Sequence, residues 1–219
     1  MFEALVSLVV AIARVNPPSS ISLLGTGFVV ANSGVIATTL HSLNNSDTNL
    51  VVLPPDFTDL NTYQDTTSLP RVYSKVIIQS ADPLRDIALL KTDGSEISGK
   101  LPSLGSFDDI DVGGDLAIFG YPHAVEGRRV LTIHRSHLGA KILLPCQNIL
   151  TKHGIINTQA RPGQSGSPIV SIKEHRIVGM LIGAYAATMG SGVSISGLNP
   201  SELHQTTHCI SAEYISAML

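Results

Sequence analysis

Three short stretches place chemically able side chains at the ends of apolar, strand-like runs. They are Gly34-Val-Ile-Ala-Thr-Thr-Leu-His41, Arg85-Asp86-Ile-Ala-Leu-Leu90 and Gly163-Gln-Ser165-Gly-Ser-Pro168. Together they supply a histidine, an aspartate and a serine, the set that makes a weakly nucleophilic hydroxyl attack a carbonyl. A serine hydroxyl is barely ionised near neutral pH, whereas a histidine with a pKa of about 6.5 can take its proton at the moment of attack. A carboxylate behind the histidine fixes the imidazole tautomer and stabilises the imidazolium that forms. Glycines beside Ser165 let the chain turn tightly enough to aim backbone N–H groups at a developing oxyanion.

The elements that must position these groups read as short strands. β-branched runs recur at Gly27–Val30, Gly34–Ala37, Asn49–Leu53, Tyr73–Ile78, Ile87–Leu90, Asp115–Phe119, Arg129–Ile133, Pro168–Ser171 and Arg176–Ile182. Gly, Pro, Asn and Asp punctuate them, which indicates an all-β sandwich or barrel rather than alternating strand–helix units. Glu3 to Val15 reads as a short helical turn leading into the first strand, and Ser211–Leu219 as a short terminal helix with a capping-box-like Ser211…Tyr214 start. Leu101–Gly114, with Pro102, Gly105, Gly113, Gly114 and three aspartates, is the best linker and divides the chain near its middle. Pro54–Pro70 is a polar insertion and Ala184–Thr207 a Gly/Ser-rich loop, both placed to shape a cleft.

Composition narrows the function. With 219 residues, 43% hydrophobic and 14% charged, the chain can bury one substantial core or two small ones and is too apolar to be a disordered, solvating segment. A net charge of −3 with scattered basic residues leaves no nucleic-acid footprint, and Arg128–Arg129 reads as a solvated loop. Cys146 and Cys209 read as two free thiols, although one bridge between them stays open. The apolar N-terminal run is too short to span a bilayer, and its start carries Glu3 with no lysine or arginine, the wrong charge for an export signal. The expected compartment is therefore the cytoplasm with no membrane partner, and export is the alternative. His134-x-x-His137 and His204-x-x-x-His208-Cys209 lack the three or four convergent ligands of a zinc site, so no metal and no cofactor is expected.

The order His41, Asp86, Ser165 resembles that of the chymotrypsin-fold serine proteases, in particular the HtrA-like and bacterial trypsin-like branch. Gly25-Thr-Gly-Phe28, the histidine strand, Asp86-Ile-Ala-Leu-Leu90, Ile118-Phe-Gly-Tyr-Pro122 and Gly163-Gln-Ser-Gly-Ser-Pro168 carry the resemblance from about residue 5 to the end of the sequence. It implies two six-stranded antiparallel β-barrels, residues 1–105 with His41 and Asp86 and residues 106–219 with Ser165, with the site between them and a short C-terminal helix. HtrA proteins usually add a PDZ domain, for which this sequence ends too soon. Ser165 becomes the nucleophile, His41 the general base and acid, Asp86 its orienting carboxylate, and the N–H groups of Gly163 and Ser165 the oxyanion hole. The substrate class is protein or peptide.

The resemblance also places the primary specificity pocket at Gln159 and at Leu181, Ile182 and Gly183. With no carboxylate at Gln159 and no histidine at Leu181, it implies a small or aliphatic residue before the cut. Departures are Leu40 before the histidine, Gln164 and Ser167. For Asp86 the plainer role is a strand-edge charge paired with Arg85; Asp82, before Pro83, reads as a turn residue, and His123 as a loop residue. A second class of function is a catalytically latent or inactive binding module of the same fold, needing a partner to order its loops.

Overall fold

The computed structural model describes residues 2–18, 20–57, 59–67, 72–94, 101–185 and 206–219. A one-turn helix α1 (Phe2–Val6) leads into strands β1 (Val9–Asn16), β2 (Ser20–Ala31), β3 (Val35–Thr39), β4 (Leu50–Leu53), β5 (Ser74–Asp82) and β6 (Ile87–Thr92). Then come β7 (Asp115–Gly120), β8 (Thr132–Cys146), β9 (Ile149–Ile156), β10 (Pro168–Ser171), β11 (Ile177–Tyr185), β12 (Thr206–Ser211) and the short helix α2 (Glu213–Ser216). The first six strands close into a barrel in the order β1-β2-β3-β6-β5-β4 and the last six into another, β10-β11-β12-β9-β8-β7. Every pairing is antiparallel. Closure gives every strand a neighbour on both sides over part of its length, which suits short strands rich in β-branched residues. The expected all-β, two-barrel architecture is what the chain adopts.

Strands β3, β4 and most of β6 are buried along their length, so they read as continuous apolar runs rather than alternating ones. The main core cluster fills the first barrel and continues through Phe119, Tyr121, Met180, Ile210 and Ile215 to the second. A separate cluster inside the second barrel surrounds Phe107. Phe107 belongs to the segment expected as a linker, where Ser106 and Asp109 form a capping box around a 3-10 turn at Phe107–Asp109. Its ring occupies the space where a Cβ at Gly154 or Gly179 would sit, 2.7 and 2.4 Å from the nearest ring carbon, so those strand glycines make room for it.

Several expectations are corrected. The strand expected at Arg129–Ile133 begins at Thr132 and runs to Cys146, half of a long hairpin with β9 that alternates exposed and half-buried positions. β12 forms where the Gly/Ser-rich loop was expected to end, and β9, bounded by Asn148 and Asn157, was not among the expected strands. The helix α2 starts after Ala212 with no side-chain cap, because Ser211 is still in β12 and its hydroxyl faces Ser106 at 3.2 Å. Arg129 is no solvated loop residue: it pairs with Asp56 and donates to Pro54 O at 3.2 Å. Gln64 of the polar insertion exchanges two hydrogen bonds of 2.8 Å with the Leu131 backbone, so the insertion ties one barrel to the other.

Candidate active site

His41 stands just beyond β3 and Asp86 just before β6. Because Thr39 pairs with Ile87, the antiparallel register alone brings these two ends together. Leu40, the departure from the family pattern, is buried in the core and donates its N–H to Asp86 O at 3.2 Å. Asp86 sits in the left-handed region with φ 56°. That strained conformation lets its carboxylate reach back to His41, with Oδ2 2.5 Å from Nδ1 and Oδ1 accepting the backbone N–H at 2.8 Å. With Nδ1 so engaged, Nε2 is the ring nitrogen left to act, and the His41 side chain is half exposed.

Arg85 does not pair with Asp86. Its guanidinium lies 2.6 Å from Asp82 Oδ2 and 4.5 Å from the centre of the Tyr214 ring, and the Asp82 hydrogen bond holds its pKa above the ordinary value. Asp82 is the turn residue expected: its Oδ1 takes the N–H groups of Leu84 and Arg85 at 3.0 and 3.2 Å. The Tyr214 hydroxyl in turn accepts the Lys152 N–H at 2.9 Å, so one side chain of α2 touches both barrels beside Asp86.

The Ser165 loop is held by its carbonyls. Pro162 O accepts the His123 N–H at 2.6 Å, Gly163 O accepts the Thr26 hydroxyl at 2.8 Å, Gln164 O accepts Ser167 N–H at 3.0 Å, and Ser165 O accepts Thr26 N–H at 2.9 Å. The N–H groups of Gln164 and Gly166 donate to Arg161 O and Leu181 O. Those of Gly163 and Ser165 have no acceptor among the described residues. They are the two donors expected to form the oxyanion hole. Gly163 and Gly166 have φ 92° and 87°, and a Cβ would fall 2.6 Å from Tyr121 O and 1.9 Å from Thr26 O respectively, so no other residue fits. Gly25 lies between this loop and the His41 turn, where a Cβ would be 3.1 Å from Ser165 O and 3.3 Å from Ser42 Oγ.

Of the residues expected to set specificity, Gln159 and Leu181 line a cavity of about 420 Å³ that also takes in Ala160 and Gln164 and has no carboxylate in its walls. His41, Ser165, Ile182 and Gly183 are not among its lining residues. Ile182 is half buried on β11, and a Cβ at Gly183 would meet nothing within 4 Å. His134 borders the same cavity, His137 pairs with Asp115 at 2.9 Å, and His208 sits on β12. These histidines do not converge, and His204 and most of the Ala184–Thr207 loop lie outside the described residues. Sequence reasoning missed the parts played by Thr26, His123 and Tyr214; a threonine between two glycines was the only signal for the first.

The profile of the trypsin-like peptidase domain matches residues 25–180, well over half of the chain. The chain belongs to the trypsin-like peptidase family. The magnetosome formation protease MamE of Paramagnetospirillum magneticum is 29% identical over 177 residues, 78% of this chain and 21% of its own. A probable periplasmic DegP-like serine endoprotease of Pseudomonas fluorescens is 29% identical over 180 residues, 79% of this chain and 32% of its own. The chain therefore spans about a fifth to a third of these curated relatives. Among solved structures, the apo MamO protease domain of Magnetospirillum magneticum superposes with a TM-score of 0.69 at 16% identity, covering 100% of this chain and 99% of that one. The active form of the Rv3671c protease of M. tuberculosis gives 0.67 at 18%, covering 99% and 81%. Both share the fold.

The relatives overturn the cytoplasmic expectation, since they are periplasmic or magnetosome proteases by name. Its basis was the scarcity of cysteine and the charge of the first residues, and a domain whose core is held by two closed barrels needs no disulfide in any compartment. Both cysteines are free, and Cys209 is fully buried with its thiol pushed well above the ordinary range by desolvation, so it would stay reduced in an oxidising space as well.

Proposed function

We propose that the domain hydrolyses peptide bonds through Ser165, His41 and Asp86 by way of an acyl-enzyme. The observation that carries this is the pattern of the Ser165 loop, where every carbonyl from Pro162 to Ser165 is tied and the N–H groups of Gly163 and Ser165 are left over. Ser165 Oγ attacks the scissile carbonyl carbon as His41 Nε2 takes its proton. The carbonyl oxygen becomes an oxyanion facing the two N–H groups, and Asp86 stabilises the imidazolium. His41 then gives the proton to the leaving amine, and the acyl group stays on Ser165. A water molecule repeats the sequence, losing its proton to His41 and releasing the acid and the free hydroxyl. Binding plus the oxyanion donors supplies a large share of such acceleration, each donor being worth about 2.7–4 kcal/mol of barrier.

A small or aliphatic P1 residue is the reading for a pocket at Gln159, Leu181, Ile182 and Gly183; the cavity wall at Gln159 and Leu181 holds no carboxylate among the described residues, though it includes Arg161 and His134. The substrates are proteins or peptides, and the names of the relatives support an extracytoplasmic site of action. The test is the intact mass after a fluorophosphonate, on wild type and on Ser165→Ala. One adduct that vanishes in the variant is expected. A folded wild type that takes no adduct would leave the fold serving as a binding module.

A further inference from the structure

Thr26 sits on β2 of the first barrel, fully buried, yet its bonds reach across to the loop of the second. Its hydroxyl donates to Gly163 O at 2.8 Å and accepts the Tyr121 N–H at 3.0 Å. Its N–H donates to Ser165 O at 2.9 Å, and its own carbonyl accepts the Thr38 hydroxyl at 2.7 Å. Every polar atom of the residue is used, and the partners lie on β3, directly after β7 and in the Ser165 loop.

We infer that Thr26 is a positioning residue for the oxyanion hole: it sets the Gly163–Gln164 and Ser165–Gly166 peptide planes so that the N–H groups of Gly163 and Ser165 face the substrate. This rests on the catalytic reading above. The physical reason lies in the planarity of the peptide bond, in which carbonyl and N–H point opposite ways. The four planes from Pro162 to Gly166 alternate. In the first and third the carbonyl is bonded and the N–H is left over; in the second and fourth both groups are bonded, and Thr26 holds both carbonyls. The two planes with a vacant N–H are thus each followed by one that Thr26 fixes. Glycine at 163 and 166 leaves the loop free to rotate unless something holds it, and at Gly166 the closest backbone is that of Thr26 itself. The hydroxyl is what matters, since only an atom that both donates and accepts can serve Gly163 O and Tyr121 N–H at once.

The experiment compares Thr26→Ser, Thr26→Cys and Thr26→Val with wild type at a temperature well below each melting point. The rate of fluorophosphonate labelling is measured, together with kcat and KM for p-nitrophenyl acetate. Valine keeps the shape and removes the hydroxyl. Labelling and kcat should fall by about 10²-fold, as when an oxyanion donor is lost, with KM little changed. Serine should restore both rates, and cysteine, a weak donor at longer reach, should fall between. A folded valine variant that labels at the wild-type rate overturns the inference, as does a serine variant as slow as valine. If valine does not fold, a cysteine variant as fast as wild type overturns it. If wild type labels and only Ser165→Ala does not, the catalytic reading stands whatever Thr26 does. If wild type takes no label, both fall together.

Discussion

Asp86 divides its two carboxylate oxygens between the ring and the backbone of His41, Oδ2 at 2.5 Å from Nδ1 and Oδ1 at 2.8 Å from the backbone nitrogen. One contact orients the imidazole and the other fixes the residue that carries it. Asp86→Asn keeps the size of the side chain and an oxygen for the backbone N–H. Its amide would donate to Nδ1 and put the ring proton on Nε2, the nitrogen that has to act as base. Turnover of p-nitrophenyl acetate should drop by about 10⁴-fold while thermal melting barely moves. Activity within tenfold of wild type would remove Asp86 from the mechanism.

Tyr214 joins the barrels at the turn that presents Asp86, with its ring against Arg85 and its hydroxyl on the Lys152 N–H. Tyr214→Phe keeps the ring and loses one hydrogen bond, at a cost of about 1 kcal/mol. Tyr214→Leu also loses the cation–π contact, for about 1 kcal/mol more. Urea denaturation measures both, and a double-mutant cycle with Arg85→Leu isolates the ring contact. Equal stability of the Phe and Leu variants would show that the ring adds nothing there.

Ser167 is one of the departures from the family pattern. Its hydroxyl is fully buried, has no hydrogen-bond partner among the described residues and lies 2.0 Å from where a Cβ at Gly120 would stand. A buried unsatisfied hydroxyl costs about 1–3 kcal/mol. Ser167→Ala removes it while the backbone N–H to Gln164 O remains, so melting should rise by about 2–4 °C. A fall in melting temperature would mean that the hydroxyl has a partner after all.

His153 is buried, and desolvation, with the nearby His208 adding to it, lowers its pKa from 6.5 to about 4. The unfolded chain therefore binds a proton between these values that the folded protein resists. Stability from this residue is full above about pH 6.5 and is lost as pH falls toward 4. His208 is lowered by burial too and acts in the same direction. His153→Gln can keep the Thr151 contact and does not titrate. Melting of wild type should fall more steeply than that of the variant from pH 6.5 to 4, and parallel curves would contradict the assignment.

The barrels were legible in the sequence because buried strands are apolar runs bounded by turn residues. Pro168–Ser171 was read to the residue, and Ile87–Leu90 to within two at its end. The β8–β9 hairpin was not, since exposed and half-buried positions mix and leave no continuous apolar run, although Gln147–Asn148 marks its turn. His41, Asp86 and Ser165 could be named from their flanking residues, each at the end of a run. Their surroundings could not. The partner of Arg85 is Asp82 three residues back rather than its neighbour Asp86, and which of the two it meets depends on the left-handed turn at 86.

By itself the sequence determined which strands could form, which three side chains could do the chemistry and which glycines leave space around the nucleophile. These are local properties of residue type and order. The tertiary structure alone decided that Thr26 meets Gly163, 137 residues away, and that two N–H groups of the Ser165 loop have no acceptor among the described residues. Both follow from how two closed barrels dock, and no periodicity within either barrel records that.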